Sequence, residues 1–183
     1  DICHTLHIRN PNHEGENGIE AGTMVLSCNR DNIDVDIEFV NNDENKLSKL
    51  LKLLRPSSDK DAKKKTEGAL STGSVIVYVW RQKDAEVISE QLRSYDIEGG
   101  IVCYHGGMDA NSRTKSQSRF MRGKARVCVA TVAFGLGINK ADVRGIIHLC
   151  LPPSPEHFLQ EIGRAGRDGK PATAFALVLD TEI

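Results

Sequence analysis

The sequence predicts an α/β domain: a mostly parallel sheet with helices on both faces. Three observations predict it. Five short segments, VIVYV (75–79), GIVCY (100–104), RVCVAT (126–131), GIIHL (145–149) and ATAFALVL (172–179), are β-branched and nearly continuous in apolar character. Strands covered on both faces read this way. Helix-compatible stretches, QKDAEVISEQLRSY and ANSRTKSQSRFMRG, separate the first three, and SPEHFLQEIG follows the fourth. Strands alternating with helices imply parallel pairing through right-handed crossovers. The 183 residues, 39% apolar and 27% charged, suffice for one folded domain with a sizeable core.

The elements follow in order. Residues 1–9 read as the end of a helix, and the polar, glycine-rich 10–22 as a loop. TMVLSCN (23–29) and IDVDIEFV (33–40) read as strands, the second with period-2 alternation. NDENKLSKLLKLLR predicts a helix capped by Asn41 or Asn42, with Leu47, Leu50, Leu51 and Leu54 on one face and Pro56 ending it. Residues 56–74 read as a solvated, lysine-rich loop that either touches a polyanion or is simply hydrated. Pro152, Pro153 and Pro155 stop the strand before them, and Ser154 or Pro155 opens the next helix.

Composition narrows the function classes. The formal net charge is -1, so a polyanionic partner needs a local basic patch. No apolar run approaches the roughly 18 residues of a membrane helix, no signal peptide is visible, and no membrane partner is expected. The chain opens on Asp1, as expected of a piece of a longer protein. Five widely spaced cysteines suit reduced thiols in an intracellular protein. Cys3, His4, His7 and His13 match no common zinc spacing, so no metal site is assigned.

Ligands of parallel sheets gather at the carboxyl ends of the strands. WRQKD follows the first of the five strands, HGGMD the second and TVAFGLGINKADVRG the third. Gly135 and Gly137 allow backbone N–H groups to approach a ligand, although no third glycine completes a dinucleotide fingerprint. Ordinary β–α turn chemistry is the alternative for each turn. The window 105–126 holds Arg113, Lys115, Arg119, Arg122, Lys124 and Arg126 against a single acid, Asp109. It reads as a phosphate-holding patch or as an exposed helix face. In QEIGRAGRDG (160–169), Gln160, Arg164 and Arg167 fall on one face if helical, between Gly163, Gly166 and Gly169. Guanidinium forks match phosphate oxygens bidentately. The alternative is a helix end with Arg–Glu161 and Arg–Asp168 surface pairs.

With these residues in view, the chain resembles the RecQ family of superfamily 2 DNA helicases. QEIGRAGRDG is similar to motif VI in its RecQ form, ATVAFGLGINKADVRGIIHLCLP to motif V, YHGGM to the block before it, and VIVYVWRQKDAEVISEQL to motif IV. The resemblance is strong over 72–179. DICHTLHI and CNRDNIDVDIEFV are similar to the stretch joining two motor lobes. IHLCLPPSPEHF and GKPATAFALVL are nearest the Rothmund–Thomson-type branch. The resemblance implies a three-layer RecA-like, P-loop NTPase-like domain over 23–183, the helicase C-terminal lobe, with 1–22 ending the preceding lobe and its connector.

The family is a two-lobe, ATP-driven translocase on single-stranded and duplex DNA, usually moving 3′ to 5′, which implies work in replication, repair and recombination. It implies a nuclear location, or a cytoplasmic one in a prokaryote. By resemblance, Arg164 and Arg167 reach ATP held by the first lobe, beside Gln160. Gly137 and Asn139 lie near the nucleotide, and Thr131, His105 and Arg81 lie toward the single-strand track; the basic window, read from its charge, adds Arg119 and Arg122 as nucleic-acid contacts. Asn139 departs from the aspartate of most relatives, though the Werner-type branch also reads INKAD. No G-x-x-x-x-G-K-[ST] and no acidic Mg²⁺-binding box occurs. Phosphoryl transfer needs both, so ATP and Mg²⁺ are expected to be held mainly by a first lobe, and this chain alone is expected to be inactive. Zinc-binding and winged-helix parts of the family would lie beyond Ile183. Two other readings stay open: a non-catalytic nucleic-acid-binding module, and a lobe of a superfamily 2 RNA helicase.

Overall fold

A computed structural model describes residues 30–55, 70–95, 97–135 and 138–180. The connector at 1–22, the strand expected at 23–29, the Cys3/His4/His7/His13 group, Gly137 and most of the loop at 56–74 lie outside the described residues. Strand β1 (Ile33–Val40) is followed by α1 (Asp43–Leu54), β2 (Ser74–Tyr78), α2 (Gln82–Ser94), β3 (Ile101–Tyr104), α3 (Ala110–Met121), β4 (Val127–Ala130), a 3₁₀ turn (Val132–Gly135), β5 (Val143–His148), α4 (Pro155–Ile162) and β6 (Ala172–Leu179). The six strands form one sheet in the order β1-β6-β5-β2-β4-β3, and every pairing is parallel.

Alternation along each strand builds two cores. Val75, Val77 and Val79 of the β2 segment face α1 and α2 with Leu50, Leu53, Leu92, Ile147 and Leu177. Ile76 and Tyr78 face the opposite side with Phe120 of α3, Phe134, Phe158 of α4 and Ile146. Helices on both faces explain why the central strands lack a polar side: β2 and β4 have no exposed residue. Asn42 is the cap of α1, accepting from Asn45 N at 2.8 Å. The cap fixes the helical register that points Leu50, Leu53 and Leu54 inward. Cys103 and Cys128 are free thiols, and full burial pushes the Cys128 thiol well above its ordinary range.

Two expectations need correction. The loop expected at 56–74 does not stay solvated to its end: residues 70–72 are helical, Leu70 is fully buried, and Ser74 already belongs to β2. Arg126 is not part of the basic surface. Its side chain turns inward and donates to Leu54 O at 2.7 Å, Leu70 O at 2.8 Å and Glu98 O at 2.8 Å. The guanidinium thereby satisfies carbonyls of three separate segments, which a short turn cannot do for itself.

Candidate nucleotide and nucleic-acid surfaces

Ser154 caps α4 and Pro155 occupies its first turn, as the sequence requires, but the helix ends at Ile162. Arg164 and Arg167 therefore do not continue its face. They sit in a tight turn where Gly166 adopts φ 55°, a left-handed conformation that glycine takes without strain. A Cβ on Gly166 would lie 2.9 Å from Lys170 O and 2.5 Å from Asn32 Nδ2. The turn itself, rather than an approaching ligand, thus demands this glycine. Gly166 N donates to Val143 O at 2.9 Å and Asp168 N to Ala141 O at 3.3 Å, docking the turn on the start of β5 rather than on the carboxyl rim of the sheet.

Two residues just before β1 hold the same turn. Asn32 Nδ2 donates to Gly166 O at 2.8 Å and Lys170 O at 2.9 Å. Arg30 donates to Ala165 O at 3.2 Å and also to Gly166 O. Neither residue stood out in the sequence, because their partners lie more than 130 residues away and no local pattern marks them.

Both arginines reach back onto the loop after β4. Arg164 Nη1 donates to Gly135 O. A Cβ on Gly135 would lie 2.6 Å from Arg164 Nη2, so a glycine there is what lets the guanidinium lie against the loop. Arg167 Nη1 donates to Ile138 O at 3.0 Å, with Nε 3.4 Å from Gly163 O. The nearby carboxylates have other partners. Asp168 pairs with Arg144 at 2.6 Å, which holds its carboxyl below the usual range, and Glu161 pairs with His148 at 2.7 Å. The pairs of Arg164 or Arg167 with Glu161 and Asp168 that the alternative requires do not form. Among the described residues, neither Arg164 nor Arg167 has a carboxylate partner. Gln160 and Asn139, both before this turn in sequence, are exposed.

A second surface lies on the carboxyl rim. Arg81, His105 and Thr131 each follow within three residues of a strand end, those of β2, β3 and β4, and these three strands are adjacent. Arg81 occupies the N-cap position of α2 without a side-chain cap, its backbone N–H donating to Asp84 Oδ2 at 3.3 Å. Serine, threonine or aspartate usually fills that position; the arginine leaves an exposed cation at the rim. His105 is 4% exposed and Thr131 7%. His105 Nε2 lies 3.1 Å from Glu86 Oε1, so it shapes the rim rather than presenting a free edge. Trp80, beside Arg81, is 59% exposed. It walls a groove of about 1050 Å³ between α1 and α2 that Val79, Leu149 and Leu179 also line.

Arg119 and Arg122 are not brought to this rim. Helix α3 runs back from the end of β3 toward the start of β4, so its last turn is at the opposite edge, about 18 Å of helix away. There Lys124 N and Ala125 N both donate to Arg119 O, and Arg126 N donates to Gly99 O at 2.8 Å. The basic window is thus divided between two edges, because residues close in sequence are separated by the length of a helix.

Residues 45–169 match the family of the helicase conserved C-terminal domain, and the chain belongs to it. The chain is a superfamily 2 helicase C-terminal lobe with a RecA-like fold, RecQ-like by sequence. It is 45% identical over 111 residues to the human ATP-dependent DNA helicase Q4, covering 54% of this chain and 9% of that protein. It is 32% identical over 172 residues to mouse ATP-dependent DNA helicase Q5, covering 94% of this chain and 16% of that one. The chain thus spans a small fraction of the relatives it matches. Among solved structures, the E. coli DEAD-box protein SrmB shares 26% identity and a TM-score of 0.63 over 80% of this chain and 76% of that one.

Proposed function

We propose that this chain is the second motor lobe of an ATP-dependent, 3′-to-5′ RecQ-type DNA helicase acting in nuclear DNA replication, repair and recombination. Arg167 brings positive charge to the terminal phosphate of ATP, with Arg164 beside it and Gln160 and Asn139 flanking. The observation that carries this reading is two guanidinium groups, Arg164 and Arg167, with no carboxylate partner among the described residues, held on the carbonyls of Gly135, Ile138 and Gly163. Carbonyls orient a fork without neutralising it, so its charge remains available to an anion. The residues present fit a contributed arginine pair. The phosphate cradle and the Mg²⁺ ligands belong to the first lobe. Single-stranded DNA follows the rim through Arg81, with His105 and Thr131 shaping it. The arginine turn lies on the α4 side of the sheet, so nucleotide and DNA occupy different surfaces.

Two outcomes test this reading. This chain alone has no DNA-stimulated ATPase activity, whereas the complete helicase does; turnover by a clean preparation of the chain would favour a self-sufficient enzyme, and binding without any ATP dependence in the complete protein a plain binding module. Trp80 is the only tryptophan, so its emission reports on the rim. Titration with an oligo-dT strand changes that emission, with an affinity that falls with salt at about 0.7 per phosphate neutralised. Arg81→Glu flattens the salt slope and the pair Arg119→Glu with Arg122→Glu does not. The reverse pattern would move the track to the opposite edge. A clear preference for oligo-rU would favour an RNA helicase lobe, since the 2′-hydroxyl is what tells the two strands apart.

A further inference from the structure

Arg30 and Asn32 donate to carbonyls of one short stretch, and those carbonyls bracket the arginine pair. Arg30 Nη1 lies 3.4 Å from Gly163 O and Nη2 lies 3.2 Å from Ala165 O, the carbonyls on either side of Arg164. Arg30 Nη2 also donates to Gly166 O, the carbonyl just before Arg167. Asn32 Nδ2 donates to the same Gly166 O at 2.8 Å and to Lys170 O at 2.9 Å. The two side chains are joined, with Arg30 Nε 3.4 Å from Asn32 Oδ1. Their backbone is anchored where β1 and β6 begin to pair: Ile33 N donates to Arg30 O at 2.9 Å, and Ala172 N donates to Asn32 O at 2.8 Å.

The end of α4 leaves carbonyls without helical partners, and a cation there is favourable. One capping bond would meet that need; Arg30 and Asn32 do more. The Gly163 carbonyl that Arg30 grips also lies 3.4 Å from Arg167 Nε, so Arg30 and Arg167 share one acceptor. From the other side, Gly166 N donates to Val143 O at 2.9 Å. The peptide groups at Gly166 are thus held by the start of β5 through the N–H and by the residues before β1 through the carbonyl. A planar guanidinium with several fixed donors spans such a set of carbonyls, which an ammonium cannot do. We infer that Arg30 and Asn32 are positioning residues for Arg164 and Arg167: they fix the backbone from which both guanidinium groups reach, so that the pair meets an anion in one arrangement rather than in several. The inference rests on the reading of the arginine pair as phosphate-facing and adds the residues that hold it in place.

The test uses the complete helicase, with Arg30→Met and Asn32→Asp as separate variants. Each is made again in a background carrying both Arg164→Ala and Arg167→Ala. The readouts are kcat, the KM for ATP, DNA affinity without nucleotide and the melting temperature, with kcat taken where every variant is folded. Arg30→Met removes the fork and keeps much of the stem; Asn32→Asp keeps the shape and turns an acceptor toward two carbonyls. Each lowers kcat about 10- to 100-fold, the scale on which a small misplacement of a catalytic group acts. KM and DNA affinity stay within about twofold. Arg30→Lys, which reaches one carbonyl at a time, recovers part of the lost kcat. In the background without the two arginines, neither substitution lowers kcat further, because nothing is left to position. Parental kcat in either folded variant overturns the positioning role and leaves the phosphate reading standing. An equal fold-loss in the arginine-free background also overturns it, as does a drop in melting temperature with kcat unchanged. If Arg30→Met does not fold, Asn32→Asp decides by the same criteria. Parental kcat in the helicase lacking both arginines overturns the phosphate reading itself, and the role of Arg30 and Asn32 with it.

Discussion

Replacing Arg126 by methionine lowers the stability of this chain by about 3–5 kcal/mol, the cost of leaving several buried carbonyls without their charged donor. Methionine keeps much of the aliphatic stem, so lost hydrogen bonding rather than lost volume dominates. The carbonyls of Leu54, Leu70 and Glu98 come from the end of α1, the turn before β2 and the loop before β3, and Arg126 is what ties them together. With Arg126 only 8% exposed, water does not readily replace it. Lysine at the same position reaches one of these carbonyls and recovers part of the loss. In a thermal melt, Arg126→Met shifts the midpoint down by about 10 °C for a chain of this size. A midpoint within about 2 °C of the parent would mean that the carbonyls find other donors and that the arginine is dispensable.

That arginine shows where sequence reading works and where it stops. The strands were legible because both their faces are covered, and continuous β-branched runs have few other uses. Helices α1 and α4 were legible because Asn42 and Ser154–Pro155 announce their starts. Sequence counts Arg126 as surface charge because charge alone does not say which way a side chain turns. A window in sequence groups Arg119 and Arg122 with the carboxyl rim because it ignores the direction of the helix that carries them. The Gln160, Arg164 and Arg167 spacing suggested one helical face, yet the glycines that drew attention to the arginines end the helix before them. Gly166 answers to a left-handed turn against Asn32, and Gly135 answers to Arg164. Both are contacts between distant segments that local spacing does not encode. The same holds for Arg30 and Asn32, and for Tyr78, His148 and Glu161, which contact one another. Motif spacing located the arginines, but only the packing shows what holds and aims them.

The larger functional effect is expected at Arg167. Substitution Arg167→Lys in the complete helicase keeps the positive charge and removes the planar fork. Its contacts in this chain are with the carbonyls of Ile138 and Gly163, and the side chain is exposed. Losing them should move stability by no more than about 0.5 kcal/mol. The charge it supplies matters most where negative charge develops, so ATP binding should change little while turnover falls. Arginine fingers elsewhere contribute roughly 10³-fold or more to kcat, and a lysine cannot span the same oxygens bidentately. DNA affinity without nucleotide should hold, because the rim at Arg81 is a separate surface.

The most direct test of the arginine pair is single-turnover ATP hydrolysis by the Arg167→Lys helicase at saturating DNA. The account predicts a rate roughly 10³-fold below the parent, with ATP affinity and melting temperature close to parental values. A rate near that of the parent, in a variant that binds ATP and melts normally, would contradict it.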